Sequence, residues 1–545
     1  MITLSCGEDR APTQVGMTGA GSSSIPGGGT SGGPNGSGGA SSGDAAAIPG
    51  AGTTGTAGNS AGGFPTCAPT EGLQVTRLTT TSIAQMGQPF DSGADDTAPW
   101  EHDTNYGQPP EIVAVPDAGH VDVLWQDHSG DVGRNEIDPN KNAKKAFVVR
   151  IEKGAAGYAV TRAYQIDQLA HIMGLARDES GNYYVATGVD EEQEVEGMNG
   201  PADGMHRPGI VKLVKFDVNG CKSLEIDVSA AREASDPNSE PIINPMVAAT
   251  SRLVYQGGQL ALIHGINTDY DPGVGSRHQK ALTTHLDATT GTVTRDSTMW
   301  VSHSFDQRLF WDGSGFIELH LGDAYPRSIA LGRFTASDGT ETYDLFKAKG
   351  ALGDNNTFTR LGGIAPIAAG DLGYLVVFTT ERGSETAEIL NGTRDLAVVR
   401  VARGFAGMDK NGSAFVDGAS TLAVTSSGEA VSNKLTWLTD YTAELAQADR
   451  SRLAAIDGDQ FVVLWERWTG NGDDNQFSGT HGLVLGGDGM VKVPPKQVTM
   501  QHLLRSDDVV SLGTSALLVT GDGTAKKLTL NLVGADLTAQ AFEIP

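Results

Sequence analysis

A chain of 545 residues with Gly 72 and only 6% aromatic residues suits short strands and tight turns more than helices. Its formal net charge of -27 excludes nucleic acid as a main partner, because that binding rests on Lys and Arg neutralising phosphates. No apolar run approaches the ~18 residues needed to span a bilayer, so no transmembrane helix is expected.

The first seven residues, Met1-Ile2-Thr3-Leu4-Ser5-Cys6-Gly7, resemble the tail of a bacterial lipoprotein signal, with Thr3 standing where Leu is usual. The resemblance implies lipidation at Cys6 and a translation start upstream, or a trimmed signal. From Ala11 to about Phe64 the chain is almost wholly Gly, Ser, Thr, Ala and Pro. With so little to bury it cannot offset the entropy of ordering. Residues 1–68 are therefore expected to be a disordered stalk, holding the folded part, 69–545, about 40 Å from its anchor by Gly-rich chain scaling. The expected location is secreted, or lipid-anchored at the outer cell surface or in the periplasm. With Cys6 assigned to the anchor, Cys67 and Cys221 form a candidate disulfide pair in an oxidising compartment; two free thiols remain the alternative.

Leu73 to Ile83 alternates and is β-branched, which predicts a strand. Ring-closed β folds often borrow a terminal strand, so this one or its neighbourhood is expected to pair with the last repeat, ending in Leu537 to Ile544. Gln85 to Pro110 is expected to be a surface loop.

The pattern that sets the fold is clearest in 302–334. Arg308-Leu309-Phe310-Trp311, the turn Asp312-Gly313-Ser314-Gly315 and the run Phe316 to His320 form a hairpin. Ser328 to Phe334 and Thr340 to Phe346 add a third and a fourth strand. The pattern recurs from Arg252 and Arg452, and more loosely from Ile112, Leu175, Arg360 and Arg505. These are seven units of roughly 45 to 65 residues, a period that marks arrays and propellers. The expected blades are 111–168, 169–242, 243–298, 299–355, 356–432, 433–499 and 500–545. A helical turn is expected around Gln447, within 443–450. The fold class is thus all-β, a seven-bladed β-propeller of four-stranded antiparallel blades. A two-layer sandwich or separate β domains is the alternative, which even spacing disfavours.

Strand alternation puts the start of each first strand and the connection between second and third strands on one face. Alignment places Arg252, Arg308, Arg360, Arg452 and Arg505 at one repeat position there. So many guanidiniums around one channel require something anionic among them, either neighbouring carboxylates acting as structural partners or a ligand. The same face carries His264, Asp269, Asp271, His278, Asp323, Arg327, Glu381 and Glu466, which complete the candidate ligand site. His303 and His320, with Asp306, are the candidates for base chemistry. No HExxH or CxxC occurs, and GxSxG falls only within the Gly- and Ser-rich stretch, at 29–33, 39–43 and 58–62. Asp409, Asn411, Ser413 and Asp417 approximate the oxygen spacing of a calcium loop, with the glycine misplaced and no closing Glu. A plain turn is the competing reading, so calcium is the one cofactor the sequence suggests.

Residues 70–545 as a whole resemble secreted seven-bladed propellers on lipoprotein stalks, an architecture that hosts lectins, scaffolds, lyases and hydrolases. The resemblance implies a surface ligand-binding or adhesion module for an anionic or carbohydrate ligand, or for a protein partner. The alternative it implies is a polysaccharide lyase or glycoside hydrolase acting on an acidic polysaccharide.

Overall fold

The computed structural model describes residues 67–92, 109–129, 144–169, 171–190, 209–239, 241–243, 245, 250–267, 279–297, 304–322, 328–334, 340–347, 359–367, 373–381, 393–401, 423–424, 430–431, 436–441, 444–457, 459–470, 475–504 and 506–545. Cys6, His303, Arg505, Asp269, Asp271, His278, Asp323, Arg327, Asp409, Asn411, Ser413 and Asp417 lie outside them, as do residues 1–66 of the expected 1–68 stalk.

The chain folds as a seven-bladed propeller. Each blade is an antiparallel sheet whose strands follow one another in sequence from the channel outwards. The innermost strands are Ile112–Asp117, His171–Arg177, Arg252–Gln256, Ser304–Trp311, Arg360–Pro366, Ala446–Asp457 and Val510–Leu512. Each packs on the next, and Val510–Leu512 packs on Ile112–Asp117, so the ring is closed. Middle strands such as Phe316–Gly322 are buried along their whole length, because both their faces lie against neighbouring blades. That burial explains their continuous apolar runs, where a strand wetted on one face would alternate.

The innermost strand carries a repeated irregularity. Its register against the second strand slips at Ile172/Gly174, Ser304/Asp306, Leu361/Gly363 and Asp449/Arg452. Such a bulge turns the strand locally, and here it brings backbone of adjacent blades together. A Cβ on Gly174 would lie 2.6 Å from Leu253 Cβ, and one on Gly363 would lie 2.9 Å from Leu453 N. The residue after the arginine of one blade thus seats on a glycine of the blade before.

Four expectations are corrected. The N-terminal strand is Val75–Arg77, and it pairs with Gly157–Leu169, the outer strand of blade one, Val75 opposite Ile166. Its neighbourhood packs on the last blade without joining its sheet, with Ile83 N 2.8 Å from Pro545 O and Gly521 N donating to Ser92 at 3.0 Å. Each blade already owns four strands, so closure needs none lent from elsewhere. The beginning of the expected loop at 85–110 is part of the core, with Met86 and Phe90 buried among blades one and seven. Around Gln447 there is no helical turn but the strand Ala446–Asp457. The fourth strand of blade five is Thr436–Trp437, beyond the boundary at 432.

A short helix, Val228–Ser235, follows blade two. Its alanines favour helix, Asp227 caps it by accepting from Ala230 N, and Arg232 ties it to Asp296 of blade three at 2.7 Å. Cys67 and Cys221 are disulfide-bonded, S–S 2.02 Å. The bond holds the start of the described chain on the turn between the third and fourth strands of blade two.

Candidate functional site

The face where the first strands begin is built on a plug of charge. Before the innermost strand of blade seven, residues 502–504 and 506–508 lie at the channel, and four other blades bind them. Asp508 accepts two bonds from the guanidinium of Arg252, Nε at 2.6 Å and Nη2 at 2.9 Å, from the far side of the ring. Arg308 Nε lies 3.3 Å from the same carboxylate. Arg252 also donates to Ser506 O at 2.6 Å, and Arg452 donates to Leu504 O and Asp507 O, each at 2.6 Å. Asp507 accepts from Glu111 N at 2.9 Å and Ile112 N at 3.0 Å, which fastens blade seven to blade one.

The three arginines are held alike. Nη1 of Arg252, Arg308 and Arg452 donates to the carbonyl of the preceding residue, Ser251, Gln307 and Ser451, at 2.7, 2.8 and 2.8 Å. Alignment of the repeats therefore identified one structural position. Arg308 also binds Asp306 at 2.5 Å, and Asp306 accepts from Thr250 at 3.0 Å. Arg360 belongs to a second group between blades five and six, with Asp449 4.0 Å from its Nε and 3.4 Å from Arg394.

The electrostatics follow from enclosure. Although burial opposes it, Arg252 and Arg308 hold the Asp508 carboxyl down at about 2. Its neighbour goes the other way: burial, against the amide donors, pushes Asp507 up to about 7. Burial, with Arg308 nearby, lowers Arg452 to about 10. Asp508 keeps 36% of its side-chain surface exposed and lines a cavity of about 140 Å³ together with Arg252, Ile112, Leu175, Leu253 and Leu309.

The other candidates divide. Glu466 is fully buried and accepts from Leu503 N at 2.7 Å, Trp468 Nε1 at 2.9 Å and His502 Nδ1 at 3.2 Å. It anchors the start of the plug. His264 is buried, donates Nδ1–H to Gly265 O at 2.9 Å, and burial lowers it to about 4. Glu381 ends the strand Tyr374–Glu381. His320 sits in an enclosed chain in which Ser304 Oγ meets Nδ1 at 2.9 Å and Nε2 meets Glu318 at 2.9 Å, and Thr283 of blade three completes it. Serine, imidazole and carboxylate in that order have the connectivity of an activated nucleophile. All three are fully buried, and through Thr283 the chain joins blade three to blade four, so it acts as an interior strut. His285 lies between Phe316 and Phe334 at 5.1 and 4.5 Å. Among the described residues no group of three or more His, Cys, Asp or Glu could hold a metal ion.

Sequence reasoning found the arginines and missed their partner. The signal was there: Ser506-Asp507-Asp508, a pair of acids at the point where the other repeats carry the approach to their arginine.

No protein family profile matches the chain, and no curated protein matches it in sequence. Solved structures that it resembles include a neuraminidase-like protein from A/bat/Guatemala/164/2009, at 9% identity and TM-score 0.35, covering 78% of this chain and 96% of that one. An alpha-L-arabinanase of Cellvibrio cellulosa, solved with arabinohexaose, gives 10% identity and TM-score 0.27, over 58% of this chain and 93% of that one. The sialidase of Trypanosoma rangeli gives 9% and 0.35, over 77% of this chain and 59% of that one. Likeness at this level carries no functional argument; the propeller rests on the strand pairing above.

Proposed function

We propose that this chain is a ligand-binding module that works outside the cytoplasm, with its site on the face floored by the plug and a carbohydrate as its ligand. The observation that carries the reading is an asymmetry between the two faces. Connections on the plug side between second and third strands run over 191–208, 268–278, 323–327 and 382–393, whereas the first-to-second turns opposite are as short as 118–119, 257–258 and 513–514; the third-to-fourth connection of blade five, 402–435, is a long exception on that opposite face. Variable loops on a rigid support are where binding usually resides. Their sequences carry Asp269, Asp271, Arg277, His278, Asp323 and Arg327, groups suited to hydroxyl-rich ligands. The plug also bears on the ligand's charge. Arg252 and Arg308 are bonded to Asp508 and Asp306, and Arg452 to backbone carbonyls, so the floor's guanidiniums are already engaged. A polyhydroxylated ligand fits this floor better than a polyanion. The disulfide, and the lipoprotein-like start with its Gly-rich stalk, support the location.

The test is to replace 268–278 and 382–392 by short Gly-Ser turns and read both proteins on an array of neutral and acidic glycans. At least one glycan bound by the parent should lose at least tenfold in affinity, with the thermal midpoint within a few degrees. Undiminished binding of every such glycan by the shortened protein would refute the reading.

A further inference from the structure

The opposite face carries a groove that the reading above does not use. It lies at the seam between blades seven and one and has a volume of about 520 Å³, within the range typical of small-molecule sites. Other seams are crossed by aromatic side chains. Tyr183 bonds Asp122 at 2.9 Å between blades one and two, Tyr255 stacks on Tyr184 at 5.6 Å between two and three, and Tyr374 bonds Asp312 between four and five. At the seam between seven and one the aromatic contact is Tyr158 against Phe542, 5.0 Å apart and edge to face. It involves the outer strands of both blades, and inward of it the hairpin ends 117–120 and 512–515 stand apart.

The lining separates by what its groups already do. Its acids are engaged: Asp117 pairs with Arg177, and Asp536 accepts from Thr538 N at 2.9 Å and Thr538 Oγ1 at 2.7 Å. Its uncharged polar groups are unspent. Among the described residues the hydroxyls of Tyr158, Ser511, Thr514 and Ser515 and the amide of Gln540 make no hydrogen bond with protein, although all line the groove. The floor beneath is apolar, with Leu512 and Leu532, and the Lys153 ammonium stands 6.0 Å from the centre of the Tyr158 ring. Free hydroxyls and an amide around an aromatic ring and an apolar floor suit a ligand with many hydroxyls and apolar C–H faces. They offer an ionic group little.

We infer that the groove between blades seven and one is a second binding site, on the face opposite the proposed loop site, for a neutral oligosaccharide. The inference stands apart from the loop-face reading, since it uses described residues of the turn face alone.

Calorimetric titration with cellohexaose, xylohexaose and mannohexaose tests it, using the parent, the loop-shortened protein, Ala118→Trp and Tyr158→Phe. Ala118 is exposed at the groove's rim, so a tryptophan there fills the space without removing core. At least one hexaose should bind the parent and the loop-shortened protein equally. Ala118→Trp should abolish that binding, and Tyr158→Phe should weaken it roughly threefold to tenfold, as expected for one lost hydrogen bond. The proposal is overturned if none of the three binds, or if binding survives Ala118→Trp. Binding lost on loop shortening and kept in Ala118→Trp would overturn the groove while leaving the loop site standing.

Discussion

Asp507 and Asp508 are adjacent in sequence, yet the fold sends their acidities in opposite directions. Asp508 is depressed, so it contributes stability above its unfolded value near 3.8, and that contribution is lost as pH falls towards about 2. Asp507 is raised to about 7, so the native state holds a proton that the unfolded chain has released. Its contribution is present below about pH 4 and is lost as pH rises through 7. Denaturant unfolding of Asp507→Asn and Asp508→Asn between pH 2 and 8 should separate the two. The first substitution should flatten the profile between pH 4 and 7, and the second should flatten it below pH 4. Parallel profiles for the parent and both variants would remove the plug from the electrostatic account. His264, lowered to about 4 by burial, adds a loss of stability as pH falls from 6.5 through 4, which both variants retain.

At the scale of the element, the innermost strand does two jobs at once. It lines the channel with an arginine, and its bulge lets the next blade approach. Gly174 and Gly363 serve the second job: Leu253 and Leu453 leave no room for a β-carbon. Backbone nitrogens among the contacts cannot yield as a flexible side chain does. Overpacking of this kind typically costs about 1 to 3 kcal/mol, so Gly174→Val and Gly363→Val should each lower the thermal midpoint by several degrees. Substitution at Gly257, in a hairpin turn with nothing within 4 Å of a β-carbon, tests a different thing, since its φ of 55° makes the backbone itself the constraint. If Gly363→Val melts like the parent, blades five and six are not in contact through this pair.

Across the whole molecule, three devices close the ring without a shared strand: packing of the first innermost strand on the last, the Asp507 clasp onto Glu111 and Ile112, and the plug. The N-terminal segment braces blades one and two. Leu73 N bonds Glu225 at 2.8 Å, Val75–Arg77 pairs with blade one, and Cys67 is bonded to Cys221 across 154 residues. Deleting 1–66 should leave the thermal midpoint within a few degrees. Cys67→Ser, which opens a loop of that size, should cost about 2 to 5 kcal/mol, and deletion through residue 83 should cost more because it also bares the outer edge of blade one. Equal tolerance of all three would show that the brace contributes nothing.

What the sequence determined by itself was whatever repeats or is local. Apolar runs, Gly turns and an arginine at a fixed place in the repeat are properties of neighbouring residues, so they stated the blade, the number of blades and one shared arginine position before any coordinates. Counting named Cys67 and Cys221 as a candidate pair, and the structure bonds them. The tertiary structure alone decided which groups meet. Asp508 and Arg252 are 256 residues apart, and no periodicity marks a contact across a ring; it arises because seven innermost strands converge on one axis. Packing of second strands between neighbouring blades made the candidates Glu466, His264 and His320 buried, hydrogen-bonded groups. It also gave Val75–Arg77 to blade one, since the side on which a lone strand pairs depends on which edge lies within reach and is left unpaired.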